Sequence, residues 1–113
     1  HVTLAPYPGL KEHPSHEIGA KQLYGGLGAI ISLRTGSKER AFQILNELKL
    51  PWLVSNIGDT KTLVIHPSST IAAHLSNEEK ELSGVYDDMI RISVGIEDIE
   101  DLKEDFRRVI EGE

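Results

Sequence analysis

Residues 90–98 run Ile90-Arg91-Ile92-Ser93-Val94-Gly95-Ile96-Glu97-Asp98. Ile90, Ile92 and Val94 alternate with Arg91, Ser93 and Gly95, so an extended chain here buries one apolar face and presents a guanidinium and a hydroxyl on the other. Directly downstream the apolar spacing becomes helical. Ile99, Leu102, Phe106, Val109 and Ile110 form one stripe, acids at Asp98, Glu100 and Asp101 suit the positive N-terminus, and Arg107 and Arg108 suit the last turn. A strand with one apolar face, followed at once by a one-sided helix, is the pairing of a sheet covered by helices.

The upstream residues extend that pattern. The run 29–33 is apolar and isoleucine-rich, as a covered strand requires, and Arg34-Thr35-Gly36-Ser37 is turn chemistry with Ser37 as a helix N-cap. Ala41, Ile44, Leu45 and Leu48 recur at helical spacing, which predicts a helix over 38–49, stopped by Pro51. Residues 52–55 are too short to assign securely. Residues 62–65 favour a strand before His66-Pro67, where Pro67 biases His66 away from helical geometry. Ser76-Asn77-Glu78-Glu79 fits a capping box opening a brief helix that Gly84 ends. An earlier helix from Ser15, with Ile18, Ala20 and Leu23 near one face, is broken by Gly25, Gly26 and Gly28. The sum is an α+β fold: a small two-layer sandwich of a mainly antiparallel sheet with helices on one face.

The first fourteen residues hold three of the five prolines, Pro6, Pro8 and Pro14, so they are expected to run extended over a surface. With Val2, Leu4, Tyr7 and Leu10 apolar, residues 1–14 have the character of a connector, and residues 15–113 of the domain it serves.

Composition bounds the function. One modest core is all that 113 residues can bury. The absence of cysteine removes disulfide frameworks, thiolate metal sites and thiol nucleophiles, and leaves the cytoplasm as the default compartment. No apolar run approaches the roughly 18 to 20 residues of a membrane span. A net charge of -6 with five arginines lacks the basic face that nucleic acid requires. The acids concentrate in residues 78–113, which hold 13 acids and 5 bases against 5 and 7 upstream, the usual mark of a solvated helix face.

Arg91 is the chemically pointed residue. A charge in mid-strand between apolar neighbours needs an anion, because an unpaired guanidinium is costly to desolvate. The ordinary partner is an internal carboxylate; the functional one is a carboxylate ligand held by the bidentate guanidinium fork. His13 and His16 are three apart with Pro14 between them, His66 and His74 lie in loops, and no metal is expected at any of them. Tyr24-Gly25-Gly26-Leu27-Gly28 leads from a helix into a strand, the reverse of the order in a phosphate cradle. No self-sufficient catalytic set occurs.

Taken in order, Tyr7-Pro8-Gly9-Leu10, His13-Pro14-x-His16-Glu17, Gly26-Leu27-Gly28-Ala29-Ile30-Ile31-Ser32, His66-Pro67-Ser68-Ser69 and the 90–98 block resemble the C-terminal domain of the Cys/Met-metabolism PLP-dependent enzymes. The resemblance covers nearly the whole chain. Within that family, Asn56-Ile57-Gly58-Asp59-Thr60-Lys61-Thr62-Leu63 resembles the O-acetylhomoserine sulfhydrylases more than the cystathionine synthases and lyases. Thr70 is followed by Ile71 and Ala72, where the sulfhydrylases often continue with Thr-Thr-His, a departure that bears on substrate.

The resemblance implies the C-terminal domain of a fold-type-I PLP-dependent transferase, in which Arg91 grips the α-carboxylate of the amino-acid substrate and Asn56 helps to hold it. It also implies that pyridoxal 5'-phosphate, its Schiff-base lysine and its phosphate-binding residues belong to a large cofactor domain N-terminal to this one. None of the seven lysines, at 11, 21, 38, 49, 61, 80 and 103, has the family's Ser-x-x-Lys setting. The expectations that follow are a homo-oligomeric, cytoplasmic enzyme when intact, catalysing γ-replacement on O-acetylhomoserine with sulfide or a thiol, and an isolated chain that is inactive and binds no cofactor. A cystathionine γ-synthase or γ-lyase of the same family, and a stand-alone binding domain, are the alternatives.

Overall fold

The computed structural model describes residues 5–112. Its elements are α1 (His16–Gln22), β1 (Ile30–Arg34), α2 (Lys38–Glu47), β2 (Trp52–Leu53), β3 (Leu63–Ile65), a 3-10 turn (Pro67–Ser69), α3 (Asn77–Leu82), β4 (Met89–Ser93) and α4 (Ile99–Glu111). The strands lie in the order β1-β4-β3-β2. β4 pairs antiparallel with both neighbours, while β2 pairs parallel with β3, so the sheet is mixed with an antiparallel majority.

Register sorts the side chains as the alternation predicts. Ile92 stands between Ile31 and Val64, with Ile90 beside Leu33, on the face that meets the helices. Arg91 stands between Ser32 and Ile65, and Ser93 between Ile30 and Leu63, on the opposite face. The core joins Leu33, Val64, Ile90 and Ile92 of the sheet to Ala41, Ile44 and Leu45 of α2 and Val109 of α4.

The helices are fixed by polar ends as well as by this core. The Ser37 hydroxyl accepts from Arg40 N at 3.1 Å to open α2. Ser76 and Glu79 form the full capping box of α3, and Asp98 accepts from the Glu100 and Asp101 amides to open α4. Arg40 donates to the Val109 and Ile110 carbonyls near the end of α4, and Arg108 to the Glu47 carbonyl at the end of α2, filling acceptors that a helix terminus leaves open.

Three local expectations are corrected. Residues 7–16 are not extended: amide-to-carbonyl bonds from Leu10 to Tyr7, His13 to Leu10 and His16 to His13 wind them through successive turns, because prolines at 8 and 14 favour tight turns as readily as extension. Val2 and Leu4 lie outside the described residues. Helix α1 buries no residue, and Ile18 and Leu23 face away from the core. It ends at Gln22, with Leu23 already extended, ahead of the glycines expected to stop it. In α4, Ile99 is exposed and Asp105 is buried in the stripe. Its carboxylate accepts from the Lys49 and Leu50 amides, each at 2.8 Å, and pairs with Arg108 at 2.6 Å.

Candidate functional site

A parallel β2–β3 pair cannot be closed by a hairpin: the chain leaving Leu53 has to double back along the sheet before Leu63. Residues 54–62 make that return on the face away from α2 and α4, across the outward side chains of β4. Every residue from 52 to 60 is exposed, so apolar burial does not hold this crossover in place. It is fastened by polar contacts from Arg91, Ser93, Gly95, Ile96 and Glu97. Arg91 Nη2 donates to the Ser55 carbonyl at 3.0 Å. Ser93 Oγ accepts from Gly58 N at 3.3 Å. Gly95 N donates to Thr62 Oγ1 at 2.9 Å, and Ile96 N to the Thr60 carbonyl at 2.8 Å. The Glu97 carboxylate accepts from Thr62 N at 2.9 Å and Thr62 Oγ1 at 2.7 Å.

Gly95 has to be glycine for steric reasons. A Cβ there would stand 2.3 Å from the Thr60 oxygen and 2.5 Å from the Thr62 nitrogen, both backbone atoms. Burial acts to raise the Glu97 pKa, but the Thr62 hydrogen bonds, with Lys61 3.7 Å away, outweigh it and hold the carboxyl below its usual range.

Arg91 is half-buried, and none of the ion pairs among the described residues involves it. Its recorded acceptor is the neutral Ser55 carbonyl, which leaves most of the fork's five donors without a protein anion. Asn56, the next residue after Ser55, is exposed on the crossover, and its side chain makes no hydrogen bond among the described residues. Asn56 and Ser55 line a cleft of about 460 Å³ together with Phe42, Leu45, Leu53 and Ile65; Arg91 is not among its lining residues. The sequence-predicted pair is therefore brought together through one intervening carbonyl, without direct contact between the two side chains.

The His66-Pro67-Ser68-Ser69 stretch is a structural anchor beside this cleft. His66 is buried against the Phe42 ring, with Nε2 2.6 Å from the Asp87 carbonyl and Nδ1 2.7 Å from Ser69 Oγ. The carbonyl can only accept, so Nε2 carries the proton and Nδ1 accepts from Ser69. The Ser68 hydroxyl donates to the Asp87 carboxylate, and this bond is the main cause holding that acid below its usual pKa. Ala72, just past this stretch, is buried. His13 and His16 hold separate partners, Ser15 N and the Pro8 carbonyl, and no cluster of metal-ligating residues occurs among the described residues.

Sequence reasoning missed the roles of Thr62, Gly95 and Glu97. Part of the signal was present: Gly95 and Glu97 share the parity of Arg91 and Ser93, and that set at odd positions marks a face with something laid across it, whereas Thr62 lies on the crossover itself and its own stretch gives no such sign.

The profile of the family described as Cys/Met metabolism PLP-dependent enzyme matches residues 1–111. The chain belongs to that family. It is 42% identical over 110 residues to O-acetyl-L-homoserine sulfhydrylase 1 of Thermus thermophilus, covering 96% of this chain and 26% of that protein. It is also 42% identical over 106 residues to an L-methionine gamma-lyase of Fusobacterium nucleatum, covering 93% and 27%. Among solved structures it superimposes on an O-acetylhomoserine (thiol)-lyase of Campylobacter jejuni carrying a pyridoxyl-lysine phosphate, with a TM-score of 0.91 at 32% identity, over 97% of this chain and 26% of that one. The chain thus spans about a quarter of the length of the curated relatives it matches.

The family's cofactor is pyridoxal phosphate, and the described residues do not form a site for it. Such a site needs a lysine amine, an acid or base against the ring nitrogen and an anion cradle. No lysine lines the cleft. Lys61 lies against Glu97 and the Trp52 ring, Lys80 bonds Ser68, and Lys103 pairs with Glu100. No helix among the described residues is long and apolar enough to cross a membrane.

Proposed function

We propose that residues 15–113 form the substrate-carboxylate domain of a Cys/Met-metabolism enzyme, with residues 1–14 as the connector to a cofactor domain that precedes it. The intact protein, on this reading, is a cytoplasmic homo-oligomer that joins sulfide or a thiol to O-acetylhomoserine. The C–O bond at the γ-carbon breaks first and acetate leaves; sulfide or the thiol then adds at that carbon to form the C–S bond. The single observation that carries the reading is Arg91: a guanidinium on a central strand, facing away from the core, with no carboxylate partner among the described residues. Its free donors suit a bidentate carboxylate, and Asn56 adds an amide within the same loop. The cofactor chemistry belongs to the remainder of the enzyme.

A γ-lyase is the second reading, favoured by the equal 42% identity to a methionine lyase. Asn56-Ile57-Gly58-Asp59 favours the sulfhydrylase.

The test is Arg91→Ala in the full-length protein. Loss of a charge-assisted pair worth about 1.5 to 3 kcal/mol should raise KM for the amino acid by about tenfold to about 150-fold, with the cofactor absorbance unchanged. Unchanged kinetics would remove Arg91 from the site. Turnover of O-acetylhomoserine with sulfide, against release of methanethiol from methionine, separates the two reactions.

A further inference from the structure

We propose that Glu97 is a positioning residue for the carboxylate grip: by fixing Thr62 it sets the path of the 54–62 crossover, and through the Ser55 carbonyl the direction of the Arg91 fork. The inference rests on the reading of Arg91 above. Glu97 lies six residues beyond Arg91, past the end of β4, and acts at the far end of the crossover.

The crossover has no buried side chain before Thr62, so its conformational freedom is opposed chiefly by the hydrogen bonds to β4. These differ in strength. The Ser93 contact is long, at 3.3 Å, and the Ile96 contact is neutral. Glu97 supplies an ionised acceptor to both donors of Thr62, and the Thr62 hydroxyl that bonds it also receives Gly95 N. Charge-assisted bonds of this kind are roughly twice as strong as neutral ones. Thr62 is fully buried, so the joint is shielded from competing water. Slack introduced there is passed toward the Ser55 carbonyl against only two bonds, the neutral Ile96–Thr60 one and the long Gly58–Ser93 one. Arg91 would then lose the acceptor that holds one arm of its fork in place.

The consequence is specific to ligands with a carboxylate. In the full-length protein, Glu97→Gln keeps the size of the side chain and one acceptor oxygen. It should raise KM for the amino-acid substrate and weaken binding of L-norleucine, an amino acid without a γ-leaving group, by about tenfold, with kcat changed by less than about twofold. Pentylamine, the same chain without the carboxylate, should bind within about twofold of the parent protein. Thr62→Val, which removes the bridging hydroxyl, should repeat the effect, and Thr62→Ser, which keeps it, should restore parent affinity.

Unchanged norleucine binding in Glu97→Gln and Thr62→Val would overturn the inference. So would equal weakening of norleucine and pentylamine, the mark of a general structural fault. Arg91→Ala keeps the two layers of reasoning apart. If it weakens norleucine while Glu97→Gln does not, only the positioning role fails; if it leaves norleucine unaffected, the Arg91 reading fails as well.

Discussion

Substituting Gly95 by alanine tests the junction on which the site is built. The new Cβ would lie 2.3 Å from the Thr60 oxygen, 2.5 Å from the Thr62 nitrogen and 2.6 Å from Glu97 Oε1, where ordinary contact begins at 3.4 Å. Two of the three obstacles are backbone, so the crossover must retreat from β4 by about 1 Å, beyond what side-chain rotation can absorb. The Ile96–Thr60 and Gly95–Thr62 bonds, at 2.8 and 2.9 Å, would then stretch out of hydrogen-bonding range, and the Glu97–Thr62 contact would distort. Two neutral bonds at about 1 kcal/mol each, with part of a charge-assisted one, place the loss at about 2 to 4 kcal/mol. That is a large fraction of the roughly 5 to 15 kcal/mol by which a domain is stable. Urea unfolding followed by Trp52 fluorescence reads the change where it occurs, since Trp52 opens the strand paired with Leu63. Gly26→Ala is the control: Gly26 has no positive φ and a Cβ there meets nothing within 4 Å, so it should shift stability by less than about 0.5 kcal/mol. A Gly95→Ala midpoint equal to that control would refute the close-approach reasoning.

Two further outcomes probe the scaffold. Ile90→Ala, at a fully buried core position, should cost about 2 to 5 kcal/mol by the same urea assay. Asp105→Asn should cost about 1 to 3 kcal/mol at neutral pH, because it removes the buried partner of Arg108 and one acceptor from the Lys49 and Leu50 amides. Burial acts to raise the Asp105 pKa, but the bonds from Leu50, Arg108 and Lys49 outweigh it, so the folded-state value lies below the unfolded one. The carboxylate's contribution is therefore complete above about pH 4 to 5 and is lost as pH falls through the folded value. The difference between parent and variant should close in that acid range.

The elements that bury their own side chains were the most legible. The alternation at 90–94 placed Ile90 and Ile92 against the helices and Arg91 on the opposite face, and Ser37 and Ser76 marked the starts of α2 and α3. What escaped depended on partners far away in the chain. Asp105 belongs to the α4 stripe because the amides after α2 need an acceptor there, and the α4 sequence holds no sign of them. His66 lies outside helix and strand as expected, but its burial was not legible, because one ring nitrogen meets Asp87, 21 residues on. Helix α1 was amphipathic enough to be foreseen, yet no residue of it joins the core. The parallel β2–β3 pairing was not legible either, since β2 has only two residues, and with it went the path of the crossover that carries Asn56.

That crossover explains why one stretch of sequence serves both core and site. Strand side chains alternate, so the register that turns Ile90 and Ile92 toward α2 and α4 also turns Arg91 and Ser93 toward residues 55 and 58. A slip of one residue would drive a guanidinium into a face built from Ile44, Leu33 and Val64, and expose two isoleucines. The core energy that fixes the strand thus also fixes the arginine, and a separate device is needed only for the loop opposite it. Gly95 supplies that device by permitting close approach, and Glu97 by holding what has approached.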